Sequence, residues 1–344
     1  MGRRVRAGLL VVGVACTAVG YAPVIATGEP DVVYAVGGAR APGIPWYDYT
    51  KRAAAGYFPH SAREIVDYPA GALFSWVPPM FDPGPRDHQT VGVAADIATT
   101  KLDNAIRRGT NPAAAVGLSQ GSLALDQEQA RLANDPTAPA RDMLQFTTIG
   151  DPTGQHAFGA SFASGIFPPG SYIPVVDYTV PPAVESQYDS KRIVAAYDGF
   201  ADFPDRPDNP LALANAAVAL AIAHTPAAFT KPGDVPAENV RAVVNSRGAT
   251  TTTYLIPVNH LPLTLPLRHL GMSDQQVDQL DAMLQPTIDA AYSRNDDPAT
   301  RPIAVDPVRG IDPVAAMEPA ARNGFEGVLG AIRNLVSPVA SVFN

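Results

Sequence analysis

The sequence predicts an α/β fold in which a mostly parallel sheet carries helices on both faces. Short apolar runs alternate along the chain with longer segments in which apolar residues recur at helical spacing. The apolar runs are nearly continuous, which is typical of strands buried on both faces. Most of them end in a turn containing Gly, Asp or Pro. Strands separated by helices in this way indicate crossover connections and a single layered domain.

The strand and helix candidates follow one another in a regular order. The predicted strands are DVVYAVGG, REIVDYP, PAAAVGLSQGS, MLQFTTIGDP, KRIVAAYDGFADFP and ATTTYLIPVNHLP. The predicted helices between them include WYDYTKRAAAGYF, HQTVGVAADIATTKLDNAIRRG and SLALDQEQARL. No internal repeat interrupts the pattern.

Composition limits the classes of protein that fit. The chain has 344 residues, of which 46% are hydrophobic and 17% charged, so it can build a full globular core. Its formal net charge is −8. Because nucleic-acid affinity depends on clustered Lys and Arg, we expect no nucleic-acid partner.

The first residues predict export. The basic MGRRVR precedes the uncharged apolar run AGLLVVGVACTAVGYAPVIA, so residues 1–28 read as a signal peptide or a membrane anchor. Cleavage after Ala26 and an uncleaved anchor both remain open. Basic residues ahead of the apolar run place the rest of the chain outside the cytoplasm. The single cysteine, Cys16, lies in this segment, which excludes disulfides and thiol catalysis in the exported part.

The far end of the chain differs from its centre. Residues 29–295 are predicted to form the compact α/β domain, and residues 296–344 a Pro-rich linker followed by an amphipathic helix, GFEGVLGAIRNLVSPVASVF. This helix either docks on the domain or contacts lipid.

One short motif carries the functional prediction. In VGLSQGS, Gly117 and Gly121 stand two residues on either side of Ser119, which fits the G-x-S-x-G nucleophile elbow. In an elbow, a sharp strand-to-helix turn exposes the serine hydroxyl and brings the flanking backbones too close for side chains. The entering apolar run and the leaving helical segment supply the required context, as in α/β-hydrolases.

A serine nucleophile needs a histidine base. In α/β-hydrolases the order along the chain is Ser, then Asp or Glu, then His. Of the histidines after the serine, His260 ends the last predicted strand and is the predicted base. His224 and His269 fall on predicted helices and read as structural or surface residues, and His156 precedes any late acid.

The acid and the oxyanion hole are assigned next. Asp198 ends the strand in RIVAAYDGFADFPD and is the predicted acid, with Asp202 and Asp177 as alternatives. An Asp-Gly turn without catalytic function is the competing interpretation of Asp198. The backbone N–H of Gln120 supplies one predicted oxyanion donor. The loop at Gly38 and Ala39 supplies the second.

Other chemistries find no support in the sequence. It contains no HExxH, no His pair at metal-ligand spacing, no phosphate loop and no dinucleotide fingerprint. We therefore expect neither a metal nor a cofactor.

Three segments together resemble a known family. GLSQGS, YDGFADFPDRPDNPLALANAAVALAIAH and YLIPVNHLPLTLPLRHLG, in this order, resemble the PE-PPE domain family of serine α/β-hydrolases, which is related in design to cutinases and found mainly in mycobacteria. The similarity runs from about residue 31 to about residue 293. It implies a triad at Ser119, Asp198 and His260. Where the family tends to have Gly-Gly-Thr-Gly in the first loop, this chain has GGAR.

The predicted function is acyl transfer through an acyl-enzyme on Ser119. The resemblance implies lipid or glycolipid esters of the acyltrehalose type as substrates, and the N-terminal segment implies contact with a membrane. Release of the acyl group to a sugar hydroxyl would make the protein an acyltransferase, and release to water a simple esterase or lipase. A noncatalytic envelope-binding module is the alternative from another class.

Overall fold

The computed structural model describes residues 28–40, 45–76, 89–182 and 185–312. The predicted signal or anchor segment and the predicted C-terminal helix lie outside these residues, except for Gly28. Within the part of the chain that the structure describes, no helix has both the length and the apolar character needed to cross a membrane.

A central sheet of seven strands organises the described residues. Its strands are β1 (Val32–Val36), β2 (Ala62–Ile65), β3 (Ala113–Leu118), β4 (Leu144–Ile149), β9 (Ser190–Ala195), β10 (Val240–Val244) and β11 (Thr250–Ile256). Two small hairpins stand apart from it: β5 (Gln155–His156) with β6 (Gly159–Ala160), and β7 (Tyr172–Ile173) with β8 (Tyr178–Thr179).

The strand order of the sheet is β10-β11-β9-β4-β3-β1-β2. All neighbours are parallel except β10, which runs antiparallel to β11 at one edge. The prediction of a mostly parallel sheet flanked by helices is confirmed. The carboxyl ends of β3, β4 and β9 lie side by side at one edge of the sheet.

Six α-helices accompany the described part of the sheet: α1 (Trp46–Arg52), α2 (Val91–Arg108), α3 (Gln120–Leu132), α4 (Phe162–Ile166), α5 (Pro210–Ile222) and α6 (Asp274–Asp289). Local signals fix their ends. The Thr90 hydroxyl caps α2 by accepting from the Val93 amide at 3.2 Å, and Ser273 forms a capping box with Gln276 at the start of α6.

Successive residues of a strand point to opposite faces of the sheet, so they belong to different hydrophobic cores. Val33 belongs to a core that includes Ala212 of α5 and Ile288 of α6. Its neighbour Tyr34 belongs to a second core with Leu102 of α2 and Leu125 of α3. The sheet is thus buried on both faces, which explains its continuous apolar runs.

Two features differ from the predicted organisation. The edge strand β10 was not predicted, because NVRAVVN is short and half-exposed. The compact body also continues past residue 295: Ala304 and Ile311 are buried in the core, and the Val258 amide donates to the Ala304 carbonyl at 3.0 Å. The first part of the predicted linker therefore packs against the end of β11.

Candidate active site

Ser119 occupies a strained turn between β3 and α3. Its φ of 53° and ψ of −118° lie in a region that non-glycine residues rarely adopt. The Ser119 amide donates to the carbonyl of Ile149 at 2.7 Å, which ties the turn to the end of β4. The side chain remains partly exposed. This is the geometry that the G-x-S-x-G motif predicts.

The two flanking glycines permit the close approach of three backbones. A Cβ on Gly117 would lie 2.6 Å from the carbonyl oxygen of Gly121, and a Cβ on Gly121 would overlap the carbonyl oxygen of Val36. Any side chain at either position would push α3 away from β3 or β1. The spacing of the motif therefore has a direct steric cause in this fold.

The loop after β1 lies against the serine, as predicted for an oxyanion hole. A Cβ on Gly38 would sit 3.2 Å from Cβ of Ser119, so this loop and the nucleophile are in contact. Ala39 follows in the same half-buried loop. The amide of Gln120 is the first of α3, where backbone N–H groups lack intrahelical acceptors. The Gln120 side chain is anchored by donating to the Gly71 carbonyl at 2.6 Å.

Arg40 stabilises this loop at the position where the sequence departs from the family pattern. Its guanidinium stacks 3.9 Å from the ring centroid of Trp46 and pairs with Asp67 at 2.8 Å. Trp46 Nε1 in turn donates to the Gly38 carbonyl at 2.6 Å. The loop thus gains its rigidity from a cation–π contact and two hydrogen-bonding side chains.

Asp198 is fully buried in the turn after β9, and its histidine partner is His224. Its Oδ1 accepts from the Phe200 amide at 3.0 Å, and its Oδ2 lies 2.7 Å from Nδ1 of His224. A carboxylate on Nδ1 fixes the tautomer that leaves Nε2 free to accept a proton. Chain order predicted His260 as the partner of Asp198. In the structure these two side chains do not hydrogen-bond to each other.

His224 also lies next to the end of β4. A Cβ on Gly150 would be 2.5 Å from Cε1 of His224 and 3.3 Å from Nε2. Gly150 directly follows Ile149, whose carbonyl holds the Ser119 amide. His224 Nε2 is buried and finds no hydrogen-bond partner among the residues that the structure describes. Ser119 and Asp198 therefore follow β3 and β9 at the same edge of the sheet, and His224 packs on Gly150 at the end of β4, the strand between them.

Helix α5 carries His224 to this edge. Asn209 caps the helix by accepting from the amides of Leu211 and Ala212, both at 3.1 Å. Gly199 lets the helix approach the acid turn, because a Cβ there would lie 2.6 Å from the carbonyl oxygen of Ala216. The sequence did contain one signal for His224: the Pro that follows Thr225 ends the helix and places the histidine at its terminus.

His260 forms a second histidine–carboxylate pair near β11. Its Nδ1 lies 2.9 Å from Oδ2 of Asp281 on α6, and the Thr264 hydroxyl also hydrogen-bonds Asp281. Strand β11 is separated from β3 by β9 and β4. With the exposed Asp278, this pair forms a group whose ligand atoms all lie within 4.8 Å of one another, a spacing that could hold a cation.

The alternative acids have other partners. Asp202 is buried, pairs with Arg294 and accepts from the Tyr197 amide at 2.6 Å; burial raises the pKa of its carboxyl to about 6. His156 lies 4.0 Å from Asp202, and burial lowers its pKa to about 3, which keeps it neutral. Asp177 accepts from the hydroxyls of Thr90 and Tyr172.

The position of the His269 side chain is not described, because it lies outside the described part of the structure.

A cleft of about 560 Å³ occurs at the opposite edge of the sheet from Ser119. It is lined by Ala113, Leu144 and Gln145, which begin strands rather than end them. This cleft is therefore separate from the edge that carries Ser119.

Comparison with known proteins agrees with the predicted family. The model of the PE-PPE domain matches residues 59–293. The chain is 67% identical over 304 residues to the diacyltrehalose acyltransferase Chp2 of Mycobacterium tuberculosis (strain ATCC 25618 / H37Rv), covering 87% of this chain and 84% of that relative.

Two further relatives come from the same organism. The SL1278 acyltransferase Chp1 is 42% identical over 262 residues, covering 75% of this chain and 61% of the relative. The esterase PE16 is 29% identical over 306 residues, covering 86% of this chain and 55% of the relative. These acyltransferases and this esterase confirm the prediction that the chain is an enzyme acting on acyl esters.

Proposed function

Because the chain belongs to the PE-PPE domain family, we propose that it transfers fatty acyl groups between trehalose-type glycolipids through an acyl-enzyme on Ser119. The observation that supports this proposal is the strained Ser119 turn at the end of β3, with the buried Asp198–His224 pair packed against the adjoining end of β4. The acyltransferases Chp2 and Chp1 supply the substrate class by similarity.

The first half-reaction forms the acyl-enzyme. His224 Nε2 takes the proton of the Ser119 hydroxyl while Oγ attacks the ester carbonyl of the donor lipid. Asp198 accepts from Nδ1 and stabilises the imidazolium that forms. The Gln120 amide, with an amide of the Gly38–Ala39 loop, stabilises the oxyanion. The tetrahedral intermediate collapses, and the alcohol of the donor leaves with the proton from His224.

The second half-reaction releases the acyl group. His224 removes a proton from the hydroxyl of an acceptor sugar, whose oxygen attacks the acyl-enzyme carbonyl. A second tetrahedral intermediate breaks the bond to Ser119 Oγ, which recovers the proton from His224. The acceptor leaves as a new ester, and the enzyme returns to its starting state.

Hydrolysis is the second candidate, and the likeness to the esterase PE16 favours it. Water would then replace the sugar hydroxyl in the second half-reaction. Because Ser119, His224 and Asp198 perform the same steps for either acceptor, the outcome depends on how well the site excludes water and holds the sugar.

Product analysis separates the two reactions. The purified protein and its Ser119→Ala variant are incubated with an acylated trehalose, and the products are resolved by mass spectrometry. We expect more highly acylated trehalose with the wild type and none with the variant. Free fatty acid as the sole product would identify an esterase.

A fluorophosphonate probe tests the nucleophile itself. We expect the probe to label the wild type and not Ser119→Ala, with the modified peptide containing Ser119. A wild-type protein that is folded and unlabelled would favour the noncatalytic binding module instead.

We also infer that the protein acts outside the cytoplasm, held at or released from a membrane by residues 1–28. The support is the basic start and the uncharged apolar run of that segment. Cell fractionation with and without residues 2–26 tests it: the full chain should fractionate with the envelope or the medium, and the shortened chain with the cytoplasm.

A further inference from the structure

Three large apolar side chains are exposed on the turn that follows Asp198 and on the helix α4 bonded to that turn. Phe200 is 37% exposed, Phe162 38% and Ile166 53%. A single exposed apolar side chain is ordinary on a protein surface, whereas a group of them at a site calls for a ligand. We call these three side chains the acyl face.

The acyl face is attached to the catalytic pair through Phe200. The Phe200 amide donates to Oδ1 of Asp198 at 3.0 Å, and its ring packs edge-to-face on His224 with centroids 5.6 Å apart. An apolar group bound on this ring would therefore contact the side chain that packs directly on the imidazole.

Backbone contacts hold the rest of the face in place. The Phe162 amide donates to the Phe200 carbonyl at 2.7 Å, and its ring packs edge-to-face on Phe203 with centroids 5.1 Å apart. Ile166 ends α4, one helical turn after Phe162. The exposed side chains thus lie on the turn that holds Asp198 and on a short helix joined to that turn by a backbone hydrogen bond.

We propose that Phe162, Ile166 and Phe200 bind the hydrocarbon chain of the acyl donor and set the preference of the enzyme for long chains. This inference rests on the proposed function, since it assigns a place to the acyl group that Ser119 takes up. A lipid chain gains free energy for every methylene removed from water, whereas a sugar needs hydrogen-bonding partners. The segment FASGI of α4 carries no charged residue, so hydrocarbon is the chemistry that this face recognises.

Alkyl fluorophosphonates test this proposal without the need for a full catalytic cycle. Ser119 Oγ attacks phosphorus, the P–F bond breaks, fluoride leaves and His224 takes the serine proton. The rate of inactivation is measured for an ethyl and a dodecyl probe, both below the concentration at which the dodecyl probe forms micelles. The ratio of the two rates reports chain-length preference and cancels general damage to the catalytic groups.

The expected result is a wild-type ratio that favours the dodecyl probe and a loss of about tenfold in that ratio for Phe162→Ala and for Phe200→Ala. Phe162→Ala is the more informative of the two, because the Phe162 ring packs on Phe203 whereas the Phe200 ring packs on His224 itself, so its removal should lower the dodecyl rate more than the ethyl rate. Val244→Ala is the control for the loss of an exposed apolar side chain elsewhere and should leave the ratio unchanged. Val244 is 52% exposed and ends β10 on the edge strand.

Three results would overturn the inference. The first is a ratio in both variants equal to that of the wild type. The second is an equal fall in both rates, which would make the side chains structural. The third is a chain-length effect that appears only on lipid vesicles, which would make the face a membrane contact. A wild type that reacts with neither probe would instead refute the proposed function, and the acyl face with it.

Discussion

Oδ2 of Asp198 lies 2.7 Å from Nδ1 of His224, and the ring of that histidine rests on Gly150, next to the residue that holds the Ser119 amide. His260 makes a similar contact with Asp281, at 2.9 Å, beyond the far side of β9. Both histidines therefore have a close carboxylate partner, and it is the Asp198–His224 pair that lies beside the strand end holding the Ser119 turn.

Substitution of His224 should lower turnover far more than substitution of His260. We expect His224→Gln to lower kcat/KM for a soluble ester on the order of a thousandfold or more, because the serine loses its base. Asp198→Asn should cost a similar factor, since the asparagine would favour the wrong tautomer of His224. His260→Gln should keep activity within about tenfold, with its main effect on stability.

Thermal unfolding serves as the control for these variants, since each side chain is buried and each substitution removes a buried hydrogen bond. If His260→Gln were folded and inactive while His224→Gln stayed active, His224 would not be the base. That result would favour His260 as the partner of Asp198, as chain order predicts.

The positions of Ser119 and Asp198 at the carboxyl ends of β3 and β9 could be predicted because their signals are local. Ser119 is fixed by five consecutive residues, and Asp198 by the end of a strongly apolar strand. The strands of the parallel sheet could be predicted for the same reason, since each is a nearly continuous apolar run.

The histidine could not be chosen from local signals. His224 lies beside Asp198 where α5 packs its backbone closely against Gly199, and that approach is a tertiary property with no counterpart in periodicity. Chain order favoured His260 because that residue follows the last strand. The edge strand β10 was not predicted, because its residues are half-exposed and do not form the continuous apolar run that marks the buried strands.

Gly199→Ala should weaken both the fold and the site. The added Cβ would lie 2.6 Å from the Ala216 carbonyl oxygen, which would push α5 and His224 away from Asp198. We expect a loss of about 1–3 kcal/mol in the free energy of unfolding, with activity lowered in the folded fraction. Gly233→Ala is the control, because nothing lies within 4 Å of that position. Equal stability of the two variants in urea unfolding would refute the close approach.

Chelation should leave activity intact. The proposed steps need only Ser119, His224 and Asp198, and the carboxylate of Asp281 is already engaged by His260 and Thr264. We expect the same rate of ester turnover after dialysis against EDTA. A loss that added Ca²⁺ or Zn²⁺ restores, and that Asp278→Asn abolishes, would instead make the His260 group a working cation site.

Glu128 should make the stability of the protein depend on pH. Its side chain is fully buried on α3, where burial raises the pKa of the carboxyl from about 4.5 to about 7 against the opposing hydrogen bonds from Arg131. Because the folded state holds this proton more tightly than the unfolded chain, the contribution of Glu128 to the free energy of unfolding is present below pH 4.5 and lost as the pH rises through 7.

Glu128→Gln should therefore flatten this dependence. Urea unfolding at pH 5 and pH 8 should show a fall in wild-type stability that is smaller in the variant, by on the order of 2 kcal/mol. Glu238→Gln removes an exposed carboxylate and should leave the difference between the two pH values unchanged. An unchanged difference in Glu128→Gln would mean that Arg131, which donates to both carboxylate oxygens at 3.1 and 3.2 Å, keeps Glu128 ionised in the folded protein at both pH values.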